Sequence, residues 1–324
     1  MVKLREEKAS TYDKPIKKAE VPAKVYIPLV QHFGKPCVAE VNVKDKVKLG
    51  QRIASADSGL YSPIHASVSG VVCAIADYAH PTLGRQKAIV IESDGSDAGE
   101  GGFNLRSPAQ VERFSAEEIK NIIFEAGMVG LGGAAFPTHI KLSPPRPIEY
   151  FILNGAECEP YLTNDFRLVV EYAREIIAGA KLVLKILKGA KCIIAIEDNK
   201  PEAIASMSRE IAGTDFKLKV LKTQYPQGGE KQLIQSVLKK EVPSGGLPFD
   251  IGVVVQNVGT VFAIYEAVYK GKPLYERVIT LTGSPLSNPG NFLVRLGTPV
   301  SALLKECGPL KEEIAKVVFG GPMM

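Results

Sequence analysis

GLGGAAFPTHIK, residues 130–141, packs three glycines into four positions and sets an aromatic ring, a proline and a lysine behind them. Glycine lets a backbone pass close to a ligand and adopt φ > 0, so successive N–H groups converge on an anion, and the lysine adds a mobile positive charge. The segment reads as a phosphate cradle. It is not a P-loop, which needs GxxxxGK followed by Ser or Thr. Nor is it the GxGxxG that opens a Rossmann unit, because residue 135 is Ala135 and no strand pattern precedes it. Taken alone, the loop also fits a structural turn that carries no ligand.

The flanks give the loop its setting. Residues 115–126 open with SAEE, a capping box in which Ser115 bonds the Glu118 N–H and Glu118 reaches back. YFIL at 150–153 is a buried-strand run, and 165–187 carries apolar residues at helical spacing. Further strands are predicted at 192–196, 218–221 and 251–255, with helices near 201–212, 229–239 and 258–269. This alternation over 103–273 predicts a parallel α/β sheet with helices on its faces.

Ligands of open α/β sheets bind outside the carboxyl ends of the strands, so the residues after each strand matter most. NGAECEP at 154–160 places Glu157 and Glu159 beside the Asn154 amide. YPQGGEK at 225–231 brings a glycine pair and Glu230, and Gln256-Asn257 follow the last strand. Ionised carboxylates only accept hydrogen bonds, so these loops suit hydroxyls and ring N–H groups, whereas the cradle suits phosphate. FMN carries both kinds of group. Each residue also has a plainer reading: Gly228-Gly229 as a helix-entry turn, Gln256-Asn257 as a helix cap, Phe136 as a core aromatic and Cys158 as a buried thiol.

Two smaller units flank this domain. From 25 to 91, short β-branched runs broken by turns predict a small all-β unit. Its order, VNVKDKVKLGQ and then SPIHASVSGVV, resembles the barrel-sandwich hybrid of lipoyl and biotinyl domains. The carrier position falls near Gly59, in DSGL, and no lysine stands there, so scaffold or docking is expected. A Gly/Asp/Ser-rich linker, 93–102, ends the unit. Residues 276–319 read as strand, Pro/Asn/Gly turn, second strand and a short helix at 299–306, a β-grasp pattern with no chemistry of its own.

Composition excludes several roles. The net charge of the 324 residues is only +5, and the lysines of the first 24 alternate with Glu6, Glu7, Asp13 and Glu20 without aromatics to stack on bases. Nucleic-acid binding is not expected; the start reads as a solvated tail or one touching an acidic surface. No apolar run is long enough to span a bilayer, and no signal peptide is recognisable. The five cysteines (Cys37, Cys73, Cys158, Cys192, Cys307) form no CxxC, which argues against a zinc site, an iron–sulfur cluster or a disulfide framework within these residues. His32, His65, His80 and His139 are scattered, and no metal ligands are expected.

GLGGAAFPTHIK, NGAECEPYLTND (154–165) and QGGEK (227–231), in this order, resemble the RnfC family of the Rnf electron-transport complex and, more distantly, the NADH-binding flavoprotein subunit of respiratory complex I. The likeness runs from PLVQHFGKPC (28–37) to the last residue. It implies a tail (1–24), a barrel-sandwich hybrid domain and linker (25–102), an FMN- and NADH-binding α/β domain (103–273) and an SLBB-like β-grasp domain (274–324). By position, it implies that Gly130, Gly132, Gly133 and Lys141 line the phosphate and ribityl end of FMN, with Asn154, Glu157, Gly229, Glu230, Gln256 and Asn257 around the rest. Phe136 and Glu159 would face NADH. Three positions depart from the complex I relative: Leu131 replaces Arg, Ala135 replaces Gly, and Lys231 replaces an acidic residue.

The resemblance implies an oxidoreductase subunit in which FMN joins hydride exchange with NAD(H) to single-electron transfer. The family's ferredoxin-type cysteine motifs follow the point reached by GGPMM (320–324), so the 4Fe-4S clusters are expected outside these residues. The implied whole is an ion-translocating ferredoxin:NAD oxidoreductase, with this chain peripheral on the cytoplasmic face through partner Rnf subunits. A cobalamin reductase of the same architecture and a flavin-free docking scaffold are the alternatives.

Overall fold

The computed structural model describes residues 1–96 and 103–323. Residues 97–102 of the expected linker, and residue 324, lie outside the described residues.

The first 24 residues are not a solvated tail. Tyr12 stacks on Phe166 with ring centroids 4.2 Å apart, Lys8, Thr11 and Ala19 are buried, and Ile16–Lys18 forms a strand, β1. Counting charges misses this because a lysine buries its aliphatic stem readily once its ammonium group meets oxygen.

The all-β unit follows as β2 (Lys24–Pro28), β3 (Val38–Ala39), β4 (Lys46–Val47), β5 (Arg52–Ser55), β6 (Ile64–His65), β7 (Gly70–His80) and β8 (Gly84–Ser93). Its two sheets run in the orders β2-β8-β7-β4 and β3-β5-β6. Alternation along β2 sends Val25 and Ile27 inward, where they meet Ile53, Val72, Ile89 and Ile91 in one core.

Two short helices lead to the sheet, α1 (Pro108–Glu112) and α2 (Ala116–Glu125). Both arms of the Ser115–Glu118 capping box form at the start of α2. After α2 the chain turns at Gly127, φ +68, where an added Cβ would lie 2.3 Å from the Pro63 carbonyl oxygen. Only glycine permits that turn hard against the barrel-sandwich module. The glycine segment is loop only as far as Pro137, because Thr138–Lys141 closes into a helical turn, α3.

The central sheet contains β9 (Tyr150–Gly155), β10 (Lys191–Glu197), β11 (Lys217–Leu221) and β12 (Val253–Asn257), all parallel, in the order β11-β10-β9-β12. Between them run α4 (Asn164–Ile186), α5 (Pro201–Glu210) and α6 (Glu230–Leu238), and α7 (Val258–Lys270) follows β12. Residues 248–251 form a 3₁₀ turn closed by Gly252 at φ +69, so β12 starts later than the apolar run suggests. β9 is buried on both faces: Phe151 and Leu153 join the core with α4 and α7, while Ile152 joins the core with α6. The order reverses beside β9, since β10 and β11 lie on one side of it and β12 on the other. That switch point opens a crevice between the β9 and β12 loops.

β13 (Glu276–Leu281) and β14 (Gly290–Arg295) form the antiparallel hairpin of the C-terminal module, followed by α8 (Val300–Glu306). β1 completes this sheet, pairing in parallel with β14. The chain's beginning and its last module therefore share one core, in which Ala19 packs with Phe292, Val294 and Cys307.

Candidate functional site

Three loops and the glycine segment meet at the carboxyl ends of the strands. Asn154, near the end of β9, donates from Nδ2 to the Gly228 carbonyl (3.0 Å) and accepts from the Ala156 N–H (3.0 Å). The Gly228 N–H in turn donates to Cys158 Sγ at 3.4 Å. An added Cβ at Gly228 would stand 2.5 Å from the Ala156 oxygen, so the β9 and β11 loops close only over glycine. Gly229 caps α6, and Glu230, its first residue, accepts from Lys141 Nζ at 2.6 Å.

The glycine loop closes through the Gly130 N–H, which donates to the Phe136 carbonyl at 2.9 Å. Leu131 is clamped on both sides: its N–H donates to Thr260 Oγ1 and its carbonyl accepts from the Arg277 guanidinium, each at 2.9 Å. Gly132 lies against Asn257, with a built Cβ 2.7 Å from Asn257 Nδ2, whereas a Cβ on Gly133 would meet nothing within 4 Å. Ala135 keeps a left-handed backbone, φ 49, so the loop retains a glycine-like shape there at the cost of some strain. Among the described residues, the amides of Gly132, Gly133 and Ala134 donate to no protein acceptor.

Behind the rim lies a buried polar chain. Asn257 Oδ1 caps α7 by accepting from the Gly259 N–H (2.8 Å), and its Nδ2 donates to Asp165 Oδ2 (2.5 Å). Glu157 Oε1 accepts from the Asp165 N–H (2.8 Å), and Lys8 Nζ lies 3.8 Å from Glu157 Oε2. Burial pushes the Glu157 carboxyl from an ordinary 4.5 up to about 7, against the pull of Lys8 and with Asp165 adding to the rise. Asp165 is raised as well, again chiefly by burial.

The structure thus joins Gly132 to Asn257, Asn257 through Asp165 to Glu157, Lys141 to Glu230, and Asn154 to the Gly228-Gly229 turn. Asn257 is a cap, and the plainer reading of that residue holds for its side chain. Phe136 stands apart, stacked on the exposed Phe33 at 6.2 Å between centroids. Glu159 is buried beneath the C-terminal segment: its Oε2 accepts from the Met323 N–H at 3.3 Å, and the Met323 carbonyl accepts from Tyr225 OH at 2.9 Å. Lys8, Asp165, Thr260 and Arg277 were not singled out by sequence reasoning. Asp165 and Thr260 sit within or beside segments that were, but nothing local marks Lys8 or Arg277.

The donor and acceptor set fits a flavin mononucleotide. Three unengaged loop amides and Lys141 suit a phosphate. Lys141 and Glu230 are both partly exposed, and a half-exposed ion pair is weak enough to be exchanged for a phosphate. The Gln256 Nε2 is buried without a partner, as is Glu159 Oε1, so donor and acceptor atoms remain unused at the strand ends.

Raised carboxyl pKa values carry a stability consequence. Below pH 4.5 Glu157 is protonated whether folded or unfolded; as pH climbs through about 7, ionisation favours the unfolded chain and that share of stability is lost. Thermal melting of the ligand-free chain is expected to drop between about pH 5 and pH 8. Glu157→Gln should flatten that drop; an equally steep profile in the variant would show that Glu157 does not cause it.

A barrel-sandwich module, a parallel α/β sheet with a glycine loop at its switch point and a β-grasp hairpin define a class of electron-transport subunit built around an FMN-binding domain. Residues 123–266 match the family model of the Nuo51 FMN-binding domain, 2–96 that of the RnfC barrel sandwich hybrid domain, and 278–324 that of the SLBB domain. The RnfC-type subunit of the proton-translocating ferredoxin:NAD(+) oxidoreductase complex of Clostridium ljungdahlii is 48% identical, across 98% of this chain and 69% of its own length. Its counterpart in the Na(+)-translocating ferredoxin:NAD(+) oxidoreductase complex of Acetobacterium woodii is 43% identical, across 98% and 72%. The corresponding subunit of the ion-translocating oxidoreductase complex of Vibrio cholerae is also 43% identical, but the chain spans only 41% of it. A chain of an NAD+-reducing NiFe-hydrogenase in its air-oxidised state shares the fold over 64% of this chain and 44% of its own, at TM-score 0.54 and 22% identity. The chain belongs to the RnfC family of Rnf complex subunits.

Proposed function

We propose that this chain holds FMN at the rim and exchanges electrons with NAD(H), passing them singly to 4Fe-4S clusters outside these residues. In this reading it is one subunit of an ion-translocating ferredoxin:NAD oxidoreductase, together with other Rnf subunits. The observation that carries it is the convergence of free glycine-loop amides, Lys141 and the β9, β11 and β12 loops on one switch-point crevice.

The amides of Gly132 and Gly133 and the Lys141 ammonium would hold the phosphate, with Gly130 keeping the loop closed. Glu157 and Glu230 offer acceptors to hydroxyl and ring N–H groups, and Gln256 offers a donor. Asn154, Gly229 and Asn257 set the loop geometry. Phe136 and Glu159 would face the nucleotide, which requires the segment over Glu159 to move aside. Bound FMN takes two electrons as hydride and releases them one at a time, so the protein's part is position and electrostatics. Among the described residues no helix is long and apolar enough to cross a membrane, so attachment to the inner face of the membrane falls to partner subunits.

Titrating the chain with FMN, followed by addition of NADH, tests this reading. Saturable binding with bleaching of the flavin band is expected; a chain that never takes up FMN would contradict it and favour a docking role. Reduction of ferredoxin, but not of cob(II)alamin, by the complete complex separates it from a cobalamin reductase.

A further inference from the structure

The N-terminal segment crosses the carboxyl ends of the strands. Val2 pairs with Tyr225 on the β11 loop, with N–H to carbonyl distances of 2.8 and 2.7 Å in the two directions. The Glu7 N–H donates to the Pro160 carbonyl at 2.9 Å, and Glu6 accepts from the Asn199 amide after β10. One short strap therefore touches the loops after β9, β10 and β11. At its end Lys8 is only 7% exposed, and its Nζ donates to the Glu157 carbonyl oxygen at 2.6 Å while lying 3.8 Å from the Glu157 carboxylate.

Nothing else described around Glu157 does the same job. Lys200 approaches the Glu157 carbonyl more distantly, at 3.5 Å, and its ammonium is already engaged by Glu197 Oε2 at 2.7 Å and Asn199 Oδ1 at 3.1 Å. From α4, Asp165 faces Glu157 with a like charge; Arg277 from β13 and Asn257 from the start of α7 act on Asp165. A buried carboxylate needs a nearby counter-charge to remain ionised, and a single ammonium at contact distance is the efficient way to supply one.

We propose that Lys8 is a positioning residue of the flavin site, clamping the Glu157 loop and supplying the counter-charge that keeps the Glu157 side chain an acceptor. The inference rests on the flavin reading given above and adds to it a residue from outside the flavin domain. An ionised Glu157 accepts from hydroxyl or ring N–H groups through both oxygens; once protonated, it presents a donor where an acceptor is required.

The test compares the wild-type chain with Lys8→Met, which keeps the stem, and Lys8→Gln, which keeps a donor but no charge. FMN affinity is titrated across neutral to alkaline pH. The wild type should bind with little pH dependence, whereas both variants should bind about tenfold more weakly at neutral pH and recover as the solution becomes alkaline. Loss of affinity by the same factor at every pH would reduce Lys8 to a structural role and overturn the proposal, as would unchanged affinity. A second readout needs no flavin: the infrared band of a protonated carboxyl that disappears in Glu157→Gln should persist to higher pH in the Lys8 variants. An unmoved band overturns the proposal independently. Failure of the wild type to bind FMN strikes the flavin reading alone and leaves the infrared readout to decide on Lys8.

Discussion

Gly132→Ala is expected to weaken FMN binding by at least about tenfold while leaving the chain folded. The methyl group would meet three atoms of Asn257, at 2.7, 2.8 and 2.9 Å. Asn257 cannot give way, because one end of its side chain caps α7 and the other is bonded to Asp165. The exposed loop will lift instead, and binding must then press it back against a clash of about 1–3 kcal/mol. The φ of Gly132 is not in the left-handed region, so no backbone strain confuses the result. Gly133→Ala sharpens the comparison. Its methyl group touches nothing in the protein, so stability should stay as it is, and any loss of affinity reports the ligand itself. Fluorescence quenching of FMN measures both variants. Wild-type affinity in both would remove the loop from the site.

Asn257→Ala should produce the largest loss of stability among the site variants. The substitution removes the cap of α7, worth about 1 kcal/mol. It also strips a 2.5 Å hydrogen bond from a buried carboxylate, Asp165, which costs about 1–3 kcal/mol more. A total of about 2–4 kcal/mol lowers the melting temperature by about 5–10 °C in a domain of this size. The like-charged Glu157 stands next along the chain of bonds, so the damage reaches the rim. Asp165→Asn with Asn257→Ala should recover part of the loss, since the buried charge is gone. Additive losses in the double variant would show that the two side chains do not act together.

Local chemistry was legible in the sequence and tertiary placement was not. The three glycines, the Ser115–Glu118 box and the apolar runs of β9, β10 and β12 follow rules that span a few residues, and the structure places them accordingly. The Glu157 motif was legible for the same reason. The role of Asn257 was open between ligand and cap, and only the direction of its two side-chain bonds decides it. Lys8 and Arg277 reach the site from opposite ends of the chain, and no periodicity connects residue 8 to residue 157. β1 was missed because a strand of three residues has too little pattern of its own; it exists only because β14 offers it an edge. Glu159 was expected at the nucleotide, but whether a carboxylate is open or covered depends on what the rest of the chain lays across it.

Crystals of this chain grown with FMN provide the most direct measurement. Density for the phosphate is expected against the amides of Gly132 and Gly133, within reach of Lys141, with the rest of the molecule in the crevice between the β9 and β12 loops. Flavin density on any other surface, with the Lys141–Glu230 pair undisturbed, would contradict the placement of the flavin at the switch point.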